Sequence, residues 1–242
     1  MTLSESRFAS CGTGIVVDQG GAMSITDTTF EACTQGLQVG TVAVPRSGDQ
    51  SPFVDVTGSQ FIDDTLGISM NGGTLSFTDS AITGGDASQS GIVVTSGTLT
   101  ASDVAITGQA VSGVVAAMSN NDLFGVLDLT GLLIEGGQYG VLVRGAADGG
   151  SLRLTSSTVR DQTTAAVSFA IYSWVNHAIT DSQLSVLSGF ALEDVRIVPN
   201  TSTTFVTSTT LNGNTYTGEV QGPIAVPPDY RITNNQTIQF SP

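Results

Sequence analysis

The chain has 242 residues, with seven arginines, no lysine and 21 acidic residues, for a formal net charge of −14. Charged residues make up only 12% of it, while glycine fills 29 positions and serine plus threonine 59. So few cations make phosphate backbones and anionic lipid poor partners, because counterion release needs Lys and Arg. The apolar 40% is patterned, unlike that of a disordered acidic chain, and no run approaches the roughly eighteen apolar residues of a membrane-spanning helix.

From the N-terminus the apolar residues repeat as a cassette. Phe8-Ala-Ser-Cys11-Gly-Thr-Gly14-Ile15-Val-Val17 aligns with Phe30-Glu-Ala-Cys33-Thr-Gln-Gly36-Leu37-Gln-Val39 at an offset of 22. The cassette returns as Phe61…Gly67-Ile68-Ser-Met70, Ile82…Gly91-Ile92-Val-Val94, Ile106…Gly113-Val114 and Ile134…Gly140-Val141-Leu-Val143. Weaker copies follow at Val159…Val167 and Leu184…Gly189. Successive glycines are 22, 31, 24, 22 and 27 residues apart, so the period is a little over twenty with insertions. Within each unit the alternation has period two, as in Met23-Ser-Ile25-Thr26 and Leu37-Gln-Val39, which is the mark of short strands with one buried face. Such a unit cannot bury its own apolar face, but a stack of units has one continuous core. The frame of leucine-rich repeats is absent, and a propeller blade needs about twice the length.

The run Leu-x-h-Thr-Asp-Ser-x-h, a polar turn and then Gly-h-x-h (h apolar) resembles the coil repeat of right-handed parallel β-helices of the pectin-lyase-like superfamily. The resemblance covers roughly residues 3–198. It implies an all-β solenoid of about 8–10 coils. Residues 1–198 form the coils, and 199–242, which hold most of the prolines, form irregular terminal coils, a cap or a docking segment of the same domain. Leu3-Ser-Glu5-Ser-Arg7-Phe8 is already in frame, so further coils are expected before Met1. The superfamily spans polysaccharide lyases, hydrolases, epimerases, tailspikes and non-catalytic adhesins, so the architecture does not define an activity.

Stacked coils turn equivalent positions into columns. The middle residue of each Gly-h-x-h strand points outward and reads Val16, Gln38, Ser69, Val93, Val115 and Leu142. In the resembling lyases and hydrolases this face carries the Asp, Lys, Arg or His of a substrate groove; here Val16, Val93, Val115 and Leu142 suit an apolar contact. A hydroxyl column, Thr26, Thr57, Thr78, Ser102, Thr130, Thr155 and Thr180, fits hydrogen bonding along the stack. Its neighbouring rank contains Asp55, Asp128 and Arg153, charges that argue against an ordered-water array of the ice-binding kind. Asp27, Asp79, Asp103 and Asp181 follow the hydroxyls, where Asp caps tight turns by bonding backbone N–H groups. Ca2+ is the one metal these turns suggest, and only Asp79 and Asp103 fall in consecutive coils. No other cofactor is expected.

The insertions Gly40–Phe53, Ala117–Phe124, Gly145–Gly150 and Ala170–Asn176 follow the Gly-h-x-h strand, and Gly84–Ser90 precedes it. Loops on one edge of a rigid rod are where binding groups concentrate. Tyr172, Trp174, Asn176 and His177, with Arg144 and Asp148 one coil earlier, form a candidate ligand-binding edge for a carbohydrate or peptide. The plainer alternative packs Tyr172 and Trp174 over the coil and lets His177 open the next strand. Cys11 and Cys33 share a column one coil apart, about 5 Å between Cα atoms, where a disulfide and a pair of stacked thiols both fit. A bridge implies an oxidising compartment. The resulting expectation is a non-catalytic, extracellular or cell-surface, adhesin-like scaffold or binding module from a larger protein. Its partner is a polysaccharide or protein surface, not nucleic acid or a membrane interior. A polysaccharide-active enzyme using Tyr172, His177, Arg144 and an Asp, and a tailspike-like homotrimer segment, are the alternatives.

Overall fold

The computed structural model describes residues 1–40, 51–85, 87–117, 125–144, 150–169, 175–194, 209–221, 232–233 and 237–239. The alternating stretches form strands, and each strand pairs in parallel with its equivalent one repeat later. Coil one is Thr2–Ser4, Arg7–Ala9 and Thr13–Val17; coil two is Ala22–Thr26, Thr29–Glu31 and Gln35–Val39. These three strands define a first, second and third side, paired side by side. Coil three opens with Phe53–Thr57 and Gln60–Ile62. Two 13-residue strands, Leu66–Thr78 and Ser90–Ser102, then run from the third side of one coil straight into the first side of the next. With Ala81–Thr83, Ala105–Thr107 and Ser112–Ala117 they complete coils three to five. Coil six is Gly125–Thr130, Leu133–Glu135 and Tyr139–Arg144, and coil seven is Gly150–Thr155, Thr158–Gln162 and Ala165–Phe169. Val175–Thr180 and Gln183–Asp194 make coil eight. Among the described residues these coils form a parallel β-solenoid with no helix, and so none long and apolar enough to cross a membrane.

The pattern weakens in sequence after Pro199, yet the described part of that segment continues the stack. Thr209–Asn212 and Thr215–Gln221 pair onto coil eight, placing Leu211 beside Ile179 and Tyr216 beside Leu184 in the core columns.

Inside, the second side contributes the column Phe8, Phe30, Phe61, Ile82, Ile106, Ile134 and Val159. Its first three rings stack almost parallel, with centroids 5.3 and 4.6 Å apart, and Phe77 meets Phe61 edge-on at 5.8 Å. The glycine of each Gly-h-x-h strand is required by this column. A Cβ on Gly36 would lie 2.5 Å from the Phe61 ring, and one on Gly91 2.7 Å from the Ile106 side chain and 2.7 Å from the Gly113 carbonyl. Aliphatic and aromatic burial of this kind is the main source of stability, and glycine makes room for it.

The corner between first and second sides turns through one left-handed residue: Asp27, Gly58, Asp79, Asp103, Gly131, Ser156, Asp181 and Gly213 all have φ between 48° and 67°. Asp tolerates that region better than most side chains. The expected capping by the Asp carboxylate is not what closes the turn. The following backbone N–H is buried and is met by a hydroxyl from the next coil: Thr28 N–H donates to Ser59 Oγ (3.2 Å), Ser59 to Ser80 (3.0 Å), Leu132 to Ser157 (3.1 Å) and Ser157 to Ser182 (3.2 Å). Each serine hydroxyl in turn donates to the carbonyl two residues back, as Ser80 does to Thr78 at 2.7 Å. A Cβ at Gly58 or Gly131 would lie 2.5 or 2.7 Å from the carboxylate of Asp27 or Asp103.

Candidate functional site

The outward ranks follow the columns read from sequence. Val16, Gln38, Ser69, Val93, Val115 and Leu142 are in register on the third side, and the rank continues to Ser168, Glu193 and Gln221. Val16 is 50% exposed at one end, whereas Val115 at mid-rod is 4% exposed despite its outward phase. Val93 and Leu142 are half-buried. The hydroxyl column is also in register, and Thr57–Thr78 and Thr155–Thr180 share hydrogen bonds of 3.1 and 3.2 Å.

On the first side the rank beside those hydroxyls changes character toward the C-terminal coils, where it reads Thr100, Asp128, Arg153, Ala178 and Thr210. Ala178 is short between Arg153 and Thr210, and a groove of about 260 Å³ opens there, lined by Val126 to Asp128, Ser151 to Arg153, His177, Ala178 and Thr210. Arg153 reaches the Asp128 carboxylate only loosely, at 3.9 Å, and both side chains are largely exposed. By contrast Arg160 grips Glu135 at 2.8 Å, and Arg7 holds Glu31 through two nitrogens. The groove therefore offers a guanidinium and a carboxylate not fully committed to each other, with Ser151 and Thr210 beside them. That set can hydrogen-bond and ion-pair a polar ligand laid along the stack.

The candidate loop edge lies only partly within the described residues. Arg144 is exposed at the end of Tyr139–Arg144, on the third side of coil six. Asp148, Tyr172 and Trp174 lie outside the described residues, as do most of the insertions; Asn176 lies in Val175–Thr180, but its side chain is not among those described. His177 is not an edge residue. It is 3% exposed and occupies the inward rank of Leu127 and Leu152, with its ring 4.1 Å from that of Phe169. Its phase is set by Ile179, two residues on, and period two puts both inside.

The corner between second and third sides is less uniform. Cys11 and Cys33 are joined there by a disulfide with Cα atoms 4.4 Å apart. One coil on, exposed Asp63 takes the left-handed turn (φ 55°) and Asp64 turns inward. Gln109 and Gln162 are buried at the same corner in later coils. Reading the sequence set Asp128 and Arg153 in one rank without pairing them, and it gave Asp64 no fate apart from Asp63, since no local signal separates the two. Among the described residues no three His, Cys, Asp or Glu side chains gather as a metal site.

The geometry defines the chain's class: a parallel β-solenoid carrying a polar groove on one side. No family model matches the chain, and no match is found among curated proteins.

Proposed function

We propose that this chain is a rigid scaffold and binding module of the right-handed, pectin-lyase-like type, working outside the cell or on its surface without catalysis. The observation that carries the reading is the groove on the first side from coil six to the strand Thr209–Asn212, where Asp128, Arg153, Ser151 and Thr210 stand on register-locked strands. Their chemistry is that of recognition: fixed donors and acceptors at the strand spacing of about 4.8 Å, suited to an extended polysaccharide or a polar protein surface. His177, the sole imidazole of the chain, borders the groove from the inward rank and is packed on Phe169. The Cys11–Cys33 disulfide supports an oxidising location.

The test is calorimetric titration of the purified chain with a panel of neutral and acidic polysaccharides, run beside reducing-end and unsaturated-product assays. Saturable binding without product, weakened about tenfold or more in Arg153→Ala, is expected. Product formation that disappears in His177→Ala or Arg153→Ala overturns the non-catalytic reading. Light scattering in the same buffer reports the homotrimer alternative directly.

A further inference from the structure

The second corner holds a buried acid that the proposed binding function does not use. Asp64 is 4% exposed. Its Oδ1 accepts the Cys33 backbone N–H at 2.7 Å, while Oδ2 has no hydrogen-bond partner. A carbon placed on Gly36 would be 2.8 Å from Oδ2 and also 2.8 Å from the Gly67 carbonyl oxygen. Two acceptor oxygens thus border the space beside Gly36, and a proton on Oδ2 would turn one of them into a donor.

The surrounding charges work in the same direction. Asp63 precedes it in the chain, and Glu31 faces it from the second side of coil two; both are negative, and the guanidinium of Arg7 is taken up by Glu31. On the coil-four side the corner is formed by Gly84, Gly85 and buried Ser88, whose hydroxyl accepts the Gly85 N–H at 3.0 Å. No described cation is placed to hold Asp64 as a carboxylate.

We propose that Asp64 is an acid-operated latch: by taking up one proton its carboxyl closes the second corner of coils two and three, beside the disulfide. Burial pushes this carboxyl up to about 6; the Cys33 N–H pulls it back, and Asp63 and Glu31 add to the rise. An acid raised in the folded state weakens the fold once ionised, so stability is gained as pH falls through about 6 toward the ordinary value of 3.8. This is opposite in sign to the usual paired carboxylate, which loses stability in acid.

The experiment follows the Asp64 carboxyl carbon by NMR titration of the full disulfide-bonded chain. Amide hydrogen exchange at Cys33, Gly36 and Gly67 is measured at pH 5 and pH 7.5, corrected for the intrinsic rate, in the wild type and Asp64→Asn. The expected results are a midpoint near 6, and protection at those amides rising about ten- to a hundredfold in acid relative to coils six and seven. Asp64→Asn is expected to hold acid-like protection at both pH values. A midpoint in the ordinary carboxylate range, or an unchanged pH response in Asp64→Asn, overturns the latch. Should Asp64→Asn fail to fold, the wild-type midpoint decides alone.

Discussion

The two tight corners of the solenoid solve the same geometric problem in different ways. At the first corner a left-handed Asp, Gly or Ser recurs, and at four of these turns a serine follows whose hydroxyl serves the coil before it. At the second corner the residue after the turn changes from coil to coil: Cys11, Cys33, Asp64, Gln109, Gln162. The first corner is architecture, because the same bond recurs between one coil and the next. The second carries individual chemistry, since each buried side chain there meets a different neighbour. A stack tolerates that variety at one corner when the other keeps the register.

The largest effect is expected from the second corner. Removing the bridge with Cys11→Ser and Cys33→Ser frees a 22-residue separation and should cost about 3 kcal/mol in denaturant unfolding. First-corner hydroxyls come next. Ser157→Ala strands the buried Leu132 N–H and Ser59→Ala strands that of Thr28, each at about 1–3 kcal/mol. If the corner is uniform, the two costs agree; a large difference between them breaks the comparison. Gly58→Ala should lose about 1–2 kcal/mol, from its φ of 62° and the 2.5 Å approach to Asp27 Oδ1. Adding Asp27→Gly should recover part of that loss in a double-mutant cycle. Smallest is Arg160→Ala, which removes the solvent-facing pair with Glu135 and should change stability by less than about 1 kcal/mol.

Most of the architecture was legible because it is written at short range. The glycine that makes room for the next coil's core residue, as Gly36 does for Phe61 and Gly91 for Ile106, recurs through the first six coils, so one pattern announces strand, turn and core together. The hydroxyl relay was also readable, in Thr57-Gly-Ser59, Thr78-Asp-Ser80, Thr155-Ser-Ser157 and Thr180-Asp-Ser182. It was missed because its acceptor lies a full coil away, whereas turn capping is ordinarily sought within two residues. His177 could have been placed by counting back from Ile179. The groove could not, because it depends on the short Ala178 lying between Arg153 and Thr210 across three coils. Asp64 was hidden for a similar reason: two adjacent acids in a turn have opposite fates only once the left-handed residue is known.

The parallel ladder also determines how the rod answers force. Its hydrogen bonds run along the axis, so pulling the two ends apart loads each coil in turn rather than all at once. A released coil of a little over twenty residues lengthens the tether by about 80 Å. The Cys11–Cys33 bond withholds its 22-residue span from that extension, so a force trace should peel from the C-terminal coils and fall short by one step.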